Sequence, residues 1–172
     1  MLDKLKIKKK FSILETTGLP LIDLDHNRLI ILLRYIVESI KKGKRLSKIQ
    51  KLAKYLEGGL QIHFLHEEEI MKAIQYPSTE HHRNEHLEML DHYRNFIYTI
   101  NPKSCRQNLL ENFLNIYEKL KFHILHHDLK FKPFVAKNII AKRVSRDFYT
   151  KLQDRNEMKN LERICKAICK KK

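Results

Sequence analysis

The sequence predicts an all-α protein: an antiparallel up-down four-helix bundle with an additional C-terminal helical extension. Three observations predict it. Helix breakers are scarce, with 4 Gly and 4 Pro in 172 residues, and a chain rich in Leu, Ile, Lys and Glu favours long helices over strands. Apolar residues recur at helical spacing over four long stretches. Short connections separate those stretches, and such connections between long helices make neighbours antiparallel.

The first helix is expected from about Asp23 to Lys42, with Leu29, Leu32, Leu33, Ile36 and Ile40 as its inner stripe. Asp23 is the expected N-cap, and Gly43 ends the run because glycine tolerates the left-handed conformation there. The second helix is expected from about Ser47 to Ile74, its inner stripe formed by Leu52, Leu56, Leu60, His63, Glu67 and Met71. Ser47 and Gln50 have capping-box spacing. After Tyr76-Pro77-Ser78, the third helix should run from about Thr79 to Ile100, capped by Ser78 or Thr79 and closed by Asn101-Pro102. Ser104 and Gln107 repeat the capping spacing and open a fourth helix to about Ala136, which Pro133 would kink or end. These elements make three regions: a basic arm over 1–13, the bundle over 14–136 and a basic amphipathic extension over 137–172. In the extension, Ile140, Val144, Phe148 and Leu152 form one stripe, and Leu161, Ile164, Cys165, Ile168 and Cys169 a second. These could pack on the bundle, on a second subunit or on an anionic surface.

Charge and cysteine content narrow the functional classes. The formal net charge is +15, which attracts anionic surfaces non-specifically. Much of the excess is terminal: residues 1–10 carry five lysines against Asp3, and residues 137–172 carry twelve Lys or Arg against four acids. The tail is a candidate contact for an anionic surface or a protein partner. No zinc-finger or RNA-recognition motif accompanies it, so no specific nucleic-acid partner is expected. No apolar run reaches membrane-spanning length, and the basic N-terminus leads into no signal core. With three cysteines, Cys105, Cys165 and Cys169, a disulfide framework is not expected, and the reading is cytoplasmic.

The ten histidines carry the chemistry, and nine of them fall in three tight clusters. His63 and Glu67, four residues apart, share one helical face. His82 and His86 do the same in the third helix. An imidazole presented beside a carboxylate or a second imidazole suits a borderline divalent metal. In the fourth helix, spacing alone pairs His123 with His127. Asp128 lies five residues from His123, roughly 140° around a regular helix, so spacing does not select it. His26, beside the stripe of the first helix, would carry no role by itself. Together, the four helices each bring histidine to an inward position, and bundle cores are where facing helices build two-metal sites.

These motifs resemble the hemerythrin family, especially its bacterial members. Ile22-Asp23-Leu24-Asp25-His26-Asn27-Arg28-Leu29 looks like the family's first motif. His63-Phe64-Leu65-His66-Glu67-Glu68-Glu69-Ile70-Met71 matches the second, and Tyr76-Pro77 followed by His82 and His86 the third. His123-Ile124-Leu125-His126-His127-Asp128 matches the fourth and favours Asp128, leaving His127 outside the ligand set. The resemblance implies seven metal ligands: His26, His63, Glu67, His82, His86, His123 and Asp128. It implies two iron ions (Fe2+/Fe3+) joined by Glu67, Asp128 and an oxo or hydroxo bridge. One iron takes His82, His86 and His123. The other takes His26 and His63 and keeps an open position for dioxygen.

The expected function is reversible dioxygen binding, for storage, delivery or sensing. The alternative is a di-iron oxidase, peroxidase or nitric-oxide-handling enzyme. Two departures from the family pattern motivate it. The Trp-Leu pair common before the last histidine reads Lys119-Leu120 here, and the Tyr common one turn before His63 is Gly59. A glycine there is either a tolerated local kink or extra room beside the open iron, through which protons or substrate could enter.

Overall fold

The computed structural model describes residues 15–136 and 138–153. The basic arm over 1–13, the side chain of Leu152 and the second C-terminal stripe, Leu161 to Cys169, lie outside the described residues. Four long helices form the bundle: α1 (Pro20–Lys41), α2 (Leu46–Ala73), α3 (Thr79–Tyr98) and α4 (Arg106–His126). A 3-10 turn, Asp128–Phe131, follows, then a short α5 (Lys132–Ala136) and α6 (Ile139–Gln153). Among the described residues there is no strand, and no helix is long and apolar enough to cross a membrane. Residues 42–45, 74–78 and 99–105 are the connections, and they make the bundle up-down. α1 packs on α2 and α4, and α2 also packs on α3.

The predicted stripes are the core. Leu29, Leu32, Leu33, Ile36 and Ile40 of α1 and Leu52, Leu56 and Leu60 of α2 are all buried. They join Leu90, Tyr93 and Ile97 of α3 and Leu109, Phe113, Tyr117 and Leu120 of α4 in one apolar cluster. A smaller cluster closes the other end of the bundle, from Leu19, Ile22, Ile70, Met71, Phe131, Val135 and Ala141. Polar bonds pin the helices in register. The Tyr93 hydroxyl donates to the Ala53 carbonyl at 2.7 Å. The Arg106 guanidinium donates to the carbonyls of Ile40, Gly43 and Lys44, at and just beyond the C-terminus of α1.

The helix ends depart from the expected caps. α1 begins at Pro20, before Asp23, because proline is preset for the first helical position. Asp23 therefore lies inside the helix, and its Oδ1 accepts from Thr17 N at 2.7 Å and from Thr17 Oγ1 at 2.9 Å. Ser47 is already helical, and Gln50 donates instead to the Ile100 carbonyl. Neither Ser78 nor Thr79 makes a side-chain cap; the Thr79 hydroxyl donates to the Tyr76 carbonyl. Ser104 accepts from Asn101 N in the preceding loop, and Cys105 stands at the N-cap of α4. Asp23, Gln50, Thr79 and Ser104 are thus engaged by loop or neighbouring groups rather than by their own helix ends.

The fourth helix does not run to Ala136. It stops at His126, and His127 adopts φ −120°, ψ −56°. Pro133 falls in the first turn of α5, where its missing N–H costs nothing. The extension also shifts its face: Ala141 and Ser145 are buried and Phe148 and Val144 pack on the two cores, whereas Ile140 is half exposed. α6 thereby lies on α1 and α2.

Gly58 and Gly59 sit within α2 without ending it. A Cβ at Gly58 would meet nothing within 4 Å, whereas one at Gly59 would lie 3.1 Å from Leu29 Cδ2. Leu29 is buried and has little freedom to withdraw. Gly58→Ala should therefore stabilise the fold by about 0.5–1 kcal/mol, the usual helix-interior difference. Gly59→Ala should give no gain, because the contact with Leu29 offsets it. Urea unfolding of both variants checks this, and equal stabilisation would show that Gly59 is not a packing contact.

Candidate metal centre

Between the two apolar clusters lies a polar layer. Its residues come one turn after Ile22, between Leu60 and Ile70, along α3 and around the end of α4. His26, His63, Glu67, His82, His86, His123 and Asp128 are all buried. All seven residues singled out in the sequence thus meet in one place. Helical spacing does this in α1, α2 and α3, where each inward residue continues its helix's inner stripe. In α4 it takes the break. The chain leaves the α-helix after His126, and the tighter 3-10 turn carries Asp128 to the inside. His127 moves to the rim, its side chain 21% exposed.

The seven side chains fall into two groups that share both carboxylates. Glu67, His82, His86, His123 and Asp128 bring donor atoms within 4.8 Å of one another, and so do His26, His63, Glu67 and Asp128. Asp128 turns one oxygen to either group, whereas Glu67 Oε2 faces the three-histidine group and also lies 3.8 Å from His63 Nε2. Glu67 Oε2 is 3.3 Å from His82 Nε2 and 3.2 Å from His86 Nε2, and Oε1 is 3.7 Å from His26 Nε2. Asp128 Oδ1 is 3.0 Å from His123 Nε2 and 3.3 Å from His82 Nε2, and Oδ2 is 3.1 Å from His26 Nε2. The arrangement fits cations better than internal hydrogen bonds. His26 Nε2, both nitrogens of His63, Glu67 Oε1 and both oxygens of Asp128 are buried without a hydrogen-bond partner. Such orphans are costly in an apolar interior.

Electrostatics leads to the same conclusion. Burial works against ionising Glu67, but the histidines around it outweigh that and hold it well below the usual carboxylate range. Asp128 is held down likewise by His123 and His26, against burial and the Glu67 charge. Burial works against protonating His26 and His82, yet the two carboxylates overcome it and raise them to about 9 and about 10. His63 is the exception, pushed down to about 4 by complete burial. Protons therefore stand in for metal charge in the metal-free protein.

Outer groups lie beside two of these rings. His86 Nδ1 lies 3.1 Å from Glu68 Oε1, and Phe64 stacks on its face at 3.9 Å. Glu85 Oε2 is 3.8 Å from His123 Nδ1, and Glu85 Oε1 is 2.7 Å from His127 Nδ1. Beside His26 and Glu67, a second buried pair joins α1 to α2: His66 Nδ1 and Asp25 Oδ2 are 2.7 Å apart. Phe148 of α6 packs over the His66 ring. None of these partners emerged from the sequence reading. Glu68 and Glu85 each neighbour an inward residue, but their targets lie across a helix interface or a broken helix end.

The two departures do not open the layer. The space a side chain at Gly59 would need is taken by Leu29. Lys119 is exposed, its Nζ 3.4 Å from His92 Nδ1 on the rim of a surface groove between α3 and α4.

Fold and layer together define a helical-bundle protein whose core could hold metal through histidine and carboxylate. The family model described as "Hemerythrin HHE cation binding domain" matches residues 17–135, and the chain belongs to the hemerythrin family. No curated protein and no solved structure gives a significant match.

Because metal must displace the protons on His26 and His82, loading with a divalent cation at pH 7 should release protons. Affinity should rise from pH 6.5 to about 9, by about tenfold per pH unit for each proton displaced. Stability of the metal-free protein should move the other way. Both histidines are raised above their unfolded value of 6.5. Their contribution is full below pH 6.5 and is lost as pH rises through 9 to 10. Calorimetric titration in buffers of different ionisation enthalpy measures the protons, and pH-independent affinity would contradict this account.

Proposed function

We propose that this protein reversibly binds dioxygen at two iron ions held by His26, His63, Glu67, His82, His86, His123 and Asp128. One observation carries the proposal: the two donor groups are unequal. Three imidazoles face one side of the shared carboxylates and only two face the other. With one shared solvent oxygen added, the first set would offer an ion six donors and the second five. A deliberately incomplete set is the mark of a site that takes up a ligand.

Two iron ions supply the two electrons that dioxygen takes on binding. The chain supplies the rest. Glu67 and Asp128 would set anionic charge between the two cations, and neutral imidazoles would add donors without adding charge. Leu29, packed over Gly59 one turn from both His26 and His63, keeps the two-histidine side apolar. Exclusion of water there slows proton delivery, which favours release of the bound gas over its consumption. His26 and His63 hold each other edge to face, with ring centres 4.6 Å apart.

The iron-loaded protein should show a charge-transfer band under air that disappears under argon and returns over repeated cycles, with iron retained. Irreversible bleaching with consumption of a reductant would instead indicate turnover. Binding to the native state alone also stabilises by mass action, about 4 kcal/mol at a thousandfold excess over Kd. For a chain of this length that is on the order of 10 °C in Tm. Differential scanning calorimetry of the metal-free and iron-loaded forms tests this; equal Tm values would place iron outside the core.

A further inference from the structure

Outside the buried layer, donor groups cluster at its rim beside His123. Glu85, His123 and His127 bring donor atoms within 4.8 Å of one another. Glu85 Oε1 is 2.7 Å from His127 Nδ1 and 3.3 Å from His81 Nε2. Its other oxygen, Oε2, is buried without a hydrogen-bond partner and lies 3.8 Å from His123 Nδ1. The His127 ring lies parallel to the His123 ring, 8° between planes and 5.2 Å between centres. Exposure is graded along this path. His81 is 76% exposed, Glu85 and His127 are 21%, and His123 is 4%. Ligand-type side chains thus lead from solvent to a residue of the buried group.

We propose that Glu85 and His127, with His81 outside them and His123 inside, form an outer capture site for a borderline divalent cation and feed the buried layer. The donor set is two or three imidazoles and one carboxylate, which suits ferrous iron, cobalt or zinc. The equivalent position beside His86 is not free in the same way, because Glu68 already faces Arg83, with Oε2 3.6 Å from Nε. Imidazole chemistry makes the outer site a stage on the way in. A neutral ring has one lone-pair nitrogen and one N–H. His123 can bind an outer ion through Nδ1 or an inner ion through Nε2, but not both. The outer site therefore holds its ion best while the buried layer is empty. Once Nε2 is engaged, Nδ1 carries the proton and can donate to Glu85.

This inference rests on the buried layer being a metal site, and the experiment separates the two. The probe is Co2+ added to the metal-free full-length protein. Uptake is followed by stopped-flow absorption, and final content by elemental analysis. Glu85→Gln and His127→Ala keep the seven buried residues, and circular dichroism checks their folding. Both variants should load at least about tenfold more slowly, since a capture site concentrates its ion, and should reach the native final content. Equal loading rates would overturn the capture site and leave the buried site standing. Slow loading with lower final content would overturn it too, by showing that Glu85 and His127 support the buried ions directly. No uptake by the native protein would overturn both.

Discussion

Two carboxylates with no exposure to solvent, Glu67 and Asp128, are the constraint around which the bundle is organised. Their charges lie between two apolar clusters, and burial of an uncompensated carboxylate costs several kcal/mol. Five imidazoles surround them: without metal, His26 and His82, raised by the two carboxylates, supply compensation as protonated rings, and with metal all five would serve as neutral ligands. Either way, four segments of chain must converge on one layer. This fixes the register of the four long helices more tightly than apolar packing would, since interdigitated aliphatic side chains tolerate rearrangement.

The requirement at Asp128 explains the irregularity of the fourth helix. In an uninterrupted helix Asp128 would point well away from His123. Breaking the helix after His126 and tightening it into a 3-10 turn brings Asp128 inside. That turn also places Phe131 in the smaller apolar cluster, at the closed end of the layer. α6 completes that end. Its Ala141 and Val144 cover the cluster, and Phe148 packs over His66, whose ring meets Asp25. The first part of the basic extension is thus joined to the site's surroundings.

Where a functional residue continues a helical stripe, the sequence made it legible. His63 and Glu67 lie in line with Leu56 and Leu60, and His82 and His86 share a face whichever residues oppose them. Asp128 was legible only through the family motif, because its position depends on a helix break that no proline or glycine marks. Helix ends were the least legible. Asp23, Ser47 and Ser104 have capping chemistry, but Pro20 and bonds to other segments decide the boundaries. Glu68, Glu85 and the Asp25–His66 pair act across interfaces, and no spacing along one helix encodes a partner on another. Gly59 illustrates the same limit: alone it suggests a void, and only the position of Leu29 shows that none is there.

The central claim is that Glu67 and Asp128 are shared between two ions. The most direct measurement is elemental analysis of the iron-reconstituted native protein alongside the Glu67→Ala variant. The account predicts about two irons per native chain, as a two-metal site requires. It predicts loss of both in Glu67→Ala, since one side chain serves both ions. One iron per native chain, or a variant that keeps both irons, would contradict it.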